Sequence, residues 1–174
     1  MHIYFATHGT TTDNEHKIAS GWKDAELSES GKTQAKELGE TFKNIPIDII
    51  CCSDLERSLN TAKIAFGEKY PIIIDKRLRE LNYGDHNGKP SETVEAMKIS
   101  RIHEPFPNGE SYEQAVARTH EFYKELKQKY PGKTVLVIGH RATQYGLEVL
   151  INGKTFEELL NVKFKWQPYW EYEL

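Results

Sequence analysis

Thr134-Val135-Leu136-Val137-Ile138-Gly139-His140-Arg141 is the stretch that decides the fold. Residues 134–138 form an unbroken, strongly β-forming run, without the alternation that marks a half-exposed strand. A run of this kind is a strand buried on both faces, as in parallel sheets covered by helices. Gly139, His140 and Arg141 stand at its carboxyl end, and a helical pattern covers 141–151.

The same alternation extends outward. Residues 2–6, 47–52 and 72–74 are short, apolar and β-rich. Between them, 28–42 carries Ala35, Leu38 and Phe42 at helical spacing. Ser53 and Glu56 have the spacing of a capping box, and Leu55, Leu59, Ala62 and Phe66 follow helically. Residues 81–90 and 104–109 read as loops from their Gly, Pro and Asn. A helix is expected over 91–102. Ser111 opens a long helix with the stripe Tyr112, Ala115, Val116, Thr119, Phe122 and Leu126. Residues 169–174 alternate like an edge strand. Strands alternating with helices predict an α/β fold: a three-layer αβα sandwich with a mainly parallel central sheet.

Composition bounds the partners. The chain has 174 residues, with 23 Lys plus Arg against 26 Asp plus Glu, a net charge of −3. That length is one domain's worth, and no linker or repeat divides it. A domain of this size buries roughly 70% of its extended-chain surface, so it needs no disulfide or metal for stability. The weak charge argues against nucleic acid as a partner and against a polybasic membrane anchor. No apolar run approaches the roughly 20 residues of a membrane span. No secretory signal is visible, and a cytoplasmic location is expected. The two cysteines, Cys51 and Cys52, are adjacent in a strand pattern. Their side chains are expected on opposite faces, unbridged.

In open α/β sheets ligands bind beyond the carboxyl ends of the strands. Three junctions stand there: Thr7-His8-Gly9-Thr10-Thr11, then Ser53 to Arg57, then Gly139-His140-Arg141. Two histidines and an arginine thus meet at one sheet edge, although His8 and His140 lie far apart in sequence.

At these residues the chain resembles the histidine phosphatase superfamily, the phosphoglycerate mutase-like fold. The family opens with Arg-His-Gly-Glu-Thr and an Asn three residues later; here stand Thr7-His8-Gly9-Thr10-Thr11 and Asn14. Its next segment appears as Gly21, Asp24, Leu27, Ser28, Gly31, Gln34 and Ala35. Later segments appear as Ser53, Arg57, Thr61 and Ala62; as Arg77, Leu78, Glu80 and Gly84; and as Gly109, Glu110 and Ser111, with Arg118 beyond. His140 matches the second histidine.

The resemblance implies metal-independent hydrolysis of a phosphate monoester on a small phosphorylated metabolite, through a phosphohistidine on His8, with no cofactor. A neutral imidazole serves when one nitrogen faces phosphorus and the other is held by a hydrogen bond. Arg57 and His140 are expected to surround the transferring oxygens, and Glu80 to act as general acid. Gly9 is expected to admit the phosphate closely, with Thr7, Thr10 and Asn14 as neutral donors. Glu110 is the competing carboxylate, with a bland alternative at the start of a helix. The segment between Glu80 and Ser111 is short for the family. It reads as a small cap at about 81–110, with His86, Asn87, Arg101, His103 and Phe106 as a mixed lining. For Trp166, Trp170 and Tyr172 the core is the favoured site. The oligomeric state is left open.

Thr7 departs from the family, where an arginine clamps the phosphate. Loss of one such contact costs about 2.7–4 kcal/mol, a hundred- to a thousandfold in rate. Three readings fit. Arg141 replaces the missing cation; or the pocket takes a different substrate; or the protein binds a phosphorylated ligand without turnover. A phosphoglycerate-type mutase is the alternative among enzymes.

Overall fold

The computed structural model describes all residues, 1–174. The elements run β1 (His2–Thr7), α1 (Thr12–Glu15), β2 (Ile18–Ala19), α2 (Glu29–Thr41), β3 (Ile49–Cys52), α3 (Glu56–Phe66) and β4 (Ile72–Ile74). Then follow β5 (Lys89–Pro90), α4 (Ser91–Met97), α5 (Tyr112–Lys129), β6 (Thr134–Gly139), α6 (Arg141–Asn152), α7 (Phe156–Asn161) and β7 (Trp170–Glu173). The main sheet has the order β4-β3-β6-β1-β7. Its first four strands are parallel, and β7 joins the edge antiparallel to β1. This is the expected sandwich, with 134–138 at its centre.

Strand alternation builds the two cores. Ile3, Phe5, Cys51, Val135 and Val137 face one way and pack against Phe122, Tyr123 and Leu126 of α5 and Leu147 of α6. Ala6, Ile50, Cys52, Leu136 and Ile138 face the other way, against Leu38 of α2, Phe42 at its C-terminal cap, and Ala62 and Phe66 of α3. Each large side chain so buried contributes about 1.5–3 kcal/mol. Cys51 and Cys52 fall in opposite layers, buried and unbridged. Burial pushes the Cys52 thiol up to about 12, which makes it inert.

Residues 81–110 pack as a satellite. Leu81, Val94, Ile102 and Phe106 bury against Tyr112 and Val116 of α5 and Tyr145 of α6. The segment holds α4, shorter than the expected helix, and β5, which pairs with β2 in a two-stranded sheet. The helix α7 had no counterpart in the sequence reading. No helix is long and apolar enough to cross a membrane.

The capping box expected at Ser53 and Glu56 does not form. The α3 helix starts at Glu56, and its cap residue Leu55 offers no side-chain bond. Asp24 supplies one instead, its Oδ1 accepting from the Glu56 N–H at 3.0 Å. The Ser53 hydroxyl is only 3.4 Å from the Leu55 N–H and has a better partner in the site.

Candidate active site

The site grows from the β1 and β6 ends. In their parallel register Thr7 pairs with Gly139, and the His8 N–H donates to the Gly139 carbonyl at 3.1 Å. The histidines that follow each strand therefore lie side by side. Their ring centroids are 5.0 Å apart.

His8 is oriented by its own neighbour. Its Nδ1 lies 2.7 Å from the Gly9 carbonyl oxygen. A carbonyl only accepts, so Nδ1 carries the proton and Nε2 keeps its lone pair. Burial, then the charge of Arg57, push the His8 pKa down to about 3, against a smaller upward pull from the Gly9 bond. The ring is half-buried, open on one side to the cavities beside it. Both effects favour the neutral nucleophile.

His140 is fully buried, and its Nε2 bonds Ser53 Oγ at 2.8 Å. Its Nδ1 is buried without a protein partner. Burial holds this imidazole well below its usual pKa, reinforced by Arg57 and His8. Arg57 is itself buried, anchored by Nη1 on the Lys23 carbonyl (2.9 Å) and Nη2 on the Gly21 carbonyl (2.7 Å). These bonds fix a cation beside His8 without neutralising it.

Glu80 is held by three backbone donors. Its Oε1 accepts from Leu81 (2.8 Å) and Ala142 (3.1 Å), and its Oε2 from Arg141 (3.2 Å) at the start of α6. A cavity of about 150 Å³ brings together His8, Arg57, Glu80, Asn14 and Tyr83. Thus His8, Arg57, Glu80 and Asn14 converge, and His140 adjoins them through its contact with His8.

Other expected positions fall elsewhere. At Gly9 packing by itself requires glycine: a Cβ there would stand 2.4 Å from the Gly31 carbonyl oxygen of α2. Its N–H is taken by Thr61 Oγ1 at 3.0 Å. The Thr10 N–H is likewise taken by Gln34 Oε1 at 2.8 Å. Thr7 lines a second cavity of about 140 Å³ on the other side of His8, with Gln34, Glu37, Thr61 and Trp166.

The Arg141 side chain turns away from His8. Its guanidinium carbon lies over the rings of Tyr145 (4.8 Å) and Phe164 (4.5 Å), and it lines neither cavity that contains His8. Two aromatic rings outside the histidine pair hold the long side chain.

The cap contributes different residues from those read as its lining. Phe106 is buried under Tyr83 and His86, and Arg101 turns back to the Pro105 carbonyl. Tyr83, Val94 and Glu95 line the cavity instead. Trp170 and Tyr172 pack in the core, but Trp166 is exposed, on the rim of the Thr7 cavity.

Three supporting residues escaped the sequence reading. Ser53 orients His140. Trp22 Nε1 donates to the Glu80 carbonyl at 2.7 Å. Arg118 donates to the carbonyls of Arg77, Arg79 and Glu80 and pairs with Glu110 at 2.6 Å. Glu110 thus holds the arginine that fixes the Glu80 backbone, rather than starting a helix. The motif positions of Ser53 and Arg118 were the only signals of these roles.

A mainly parallel sheet with two histidines, a buried arginine and a carboxylate at its strand ends has the site of an α/β enzyme. The model of the histidine phosphatase superfamily (branch 1) matches residues 3–165, and the chain belongs to that superfamily. The uncharacterized phosphatase PhoE of Bacillus subtilis is 33% identical over 152 residues, covering 87% of this chain and 77% of its own. A 2,3-bisphosphoglycerate-dependent phosphoglycerate mutase of Lachnoclostridium phytofermentans is 29% identical, covering 93% and 82%. The solved structure of Bacillus stearothermophilus YhfR superposes with a TM-score of 0.88 at 26% identity, covering 99% and 91%. The chain is accordingly an enzyme of the phosphatase kind.

Proposed function

We propose that this chain hydrolyses small phosphate monoesters through a phosphohistidine on His8. One observation carries the reading: the Gly9 carbonyl holds the Nδ1 proton of His8, which leaves Nε2 its lone pair, and His8 lines a cavity with Arg57 and Glu80. In the first step the Nε2 lone pair forms the N–P bond and the P–O bond to the alcohol breaks. Glu80 gives its proton to the departing oxygen. In the second step the Glu80 carboxylate takes a proton from water. The water oxygen bonds phosphorus, the N–P bond breaks, and neutral His8 and inorganic phosphate are restored. Arg57 balances charge on the non-bridging oxygens, and the unpartnered Nδ1 of neutral His140 adds a hydrogen-bond donor.

The chain reads as one domain, with 81–110 as a small cap beside the cavity. The unbridged Cys51 and Cys52 fit a cytoplasmic setting. The small cap favours hydrolysis over a mutase, which must keep water from its phosphoenzyme. The absence of a cation at Thr7 favours weak turnover of ordinary esters. The test is quenched-flow hydrolysis of p-nitrophenyl phosphate with mass spectrometry of the protein. Expected are turnover and a phosphorylated His8 peptide, both lost in His8→Asn. Turnover surviving in His8→Asn overturns the reading.

A further inference from the structure

We propose that Arg141 recognises an anionic group, a carboxylate or a second phosphate, on the leaving alcohol of the substrate. This deepens the phosphatase reading and rests on it.

Position is the first ground. The Arg141 and Ala142 N–H groups hold the Glu80 carboxylate at 3.2 and 3.1 Å. The oxygen that Glu80 protonates therefore departs next to residue 141. The cavity of about 550 Å³ that Arg141 lines shares Glu80, Tyr83 and Glu95 with the His8 cavity. An alcohol leaving past Glu80 enters this space.

Charge is the second ground. The chain has six arginines. Arg77, Arg79, Arg101 and Arg118 pair with carboxylates, and Arg57 is bound by two backbone carbonyls. Arg141 alone has only neutral side-chain partners: Nη1 donates to Gln144 Oε1 (2.7 Å) and Nη2 to the Tyr145 hydroxyl (3.2 Å). Lys163, on the same wall, pairs with no carboxylate, while Lys98 is paired with Glu95 at 3.0 Å.

Geometry is the third. The rings of Tyr145 and Phe164 lie against the guanidinium, and Gln144 and the Tyr145 hydroxyl take only two of its five N–H donors, which leaves the others for an anion. Its positive charge in the first turn of α6 opposes the helix dipole. An anion docked there answers both charges.

The test compares kcat/KM for 4-carboxyphenyl phosphate, 1,4-phenylene bisphosphate and neutral 4-carbamoylphenyl phosphate. Wild type is expected to prefer an anionic ester, and which of the two it prefers separates carboxylate from phosphate recognition. Arg141→Gln is expected to lower the anionic-to-neutral ratio about ten- to a hundredfold, as loss of one charge-assisted contact does. Arg141→Lys is expected to restore part of it. Turnover of all three esters without preference, or an unchanged ratio in Arg141→Gln, overturns this inference and leaves the phosphatase reading standing. The wild-type preference is measured without a variant, so a misfolded Arg141→Gln does not shield the proposal. No turnover of any ester, with no phosphorylated His8, overturns both.

Discussion

His8 and His140 are neighbours by strand register: each is the residue after a parallel-paired strand end, Thr7 beside Gly139. Nothing else is needed to bring them together across the chain. The sheet also keeps their rings 5.0 Å apart in a poorly solvated place beside a buried arginine, where a second positive charge is costly.

That cost makes stability pH-dependent. In the unfolded chain a histidine titrates near 6.5, whereas folded His140 stays neutral far below that. As pH falls below about 6.5, the unfolded state takes up a proton that the folded state refuses, so stability falls. Above 6.5 both states are neutral and the loss is absent. The limiting slope is about 1.4 kcal/mol per pH unit for one buried histidine. The half-exposed His8 adds less, between 6.5 and about 3. Urea midpoints at pH 7, 6 and 5 in phosphate-free buffer should fall steadily for wild type and less steeply for His140→Asn. Parallel slopes would refute the assignment.

Ser53→Ala should separate orientation from folding. The substitution removes the hydroxyl 2.8 Å from His140 Nε2 and leaves that buried nitrogen unpaired. A loss of about 1–3 kcal/mol in stability is expected, with a fall in kcat that exceeds any rise in KM. Ser53→Thr should recover most of both. An unaltered kcat would mean that His140 needs no orienting partner.

Thr7→Arg tests the missing cation. The side chain at residue 7 opens on the cavity beside His8, where Glu37 and Gln34 offer acceptors. If the arginine reaches the phosphate, aryl phosphate turnover should rise by up to about a hundredfold. Capture by Glu37 is the competing fate, and Glu37→Gln in the same background should release it. No gain in either background would show a pocket that works without this contact.

Arg118→Met should act on Glu80 without touching substrate. The guanidinium binds three carbonyls of 77–80 and the half-buried Glu110. Breaking the pair is expected to cost about 3 kcal/mol. Rates should fall more for poor leaving groups than for p-nitrophenolate, since only the former depend on the acid. Equal losses across a leaving-group series would make Arg118 a purely structural residue. Glu110→Gln should be milder in both respects.

Legibility in the sequence followed the range of the interaction. The run at 134–138 needed only its own residues to declare a doubly buried strand, and the spacing of Ala35, Leu38 and Phe42 declared a helix face. Ser53 was misread because its spacing to Glu56 satisfies a local rule, while its partner is 87 residues away in the chain. The packing need for glycine at residue 9 is illegible for a similar reason, since Gly31 stands beside it only after α2 has packed.

By itself the sequence determined the layered α/β fold and the motif series of a histidine phosphatase, because periodicity and strand-end residues are local properties. Where the cations point was decided only by the tertiary structure. Arg57 and Arg141 both stand at helix starts near the sheet edge, yet one is pinned beside His8 by two loop carbonyls. The other is drawn over Tyr145 and Phe164. A long, charged side chain settles where distant segments offer acceptors and aromatic faces, and their positions exist only once the chain has folded.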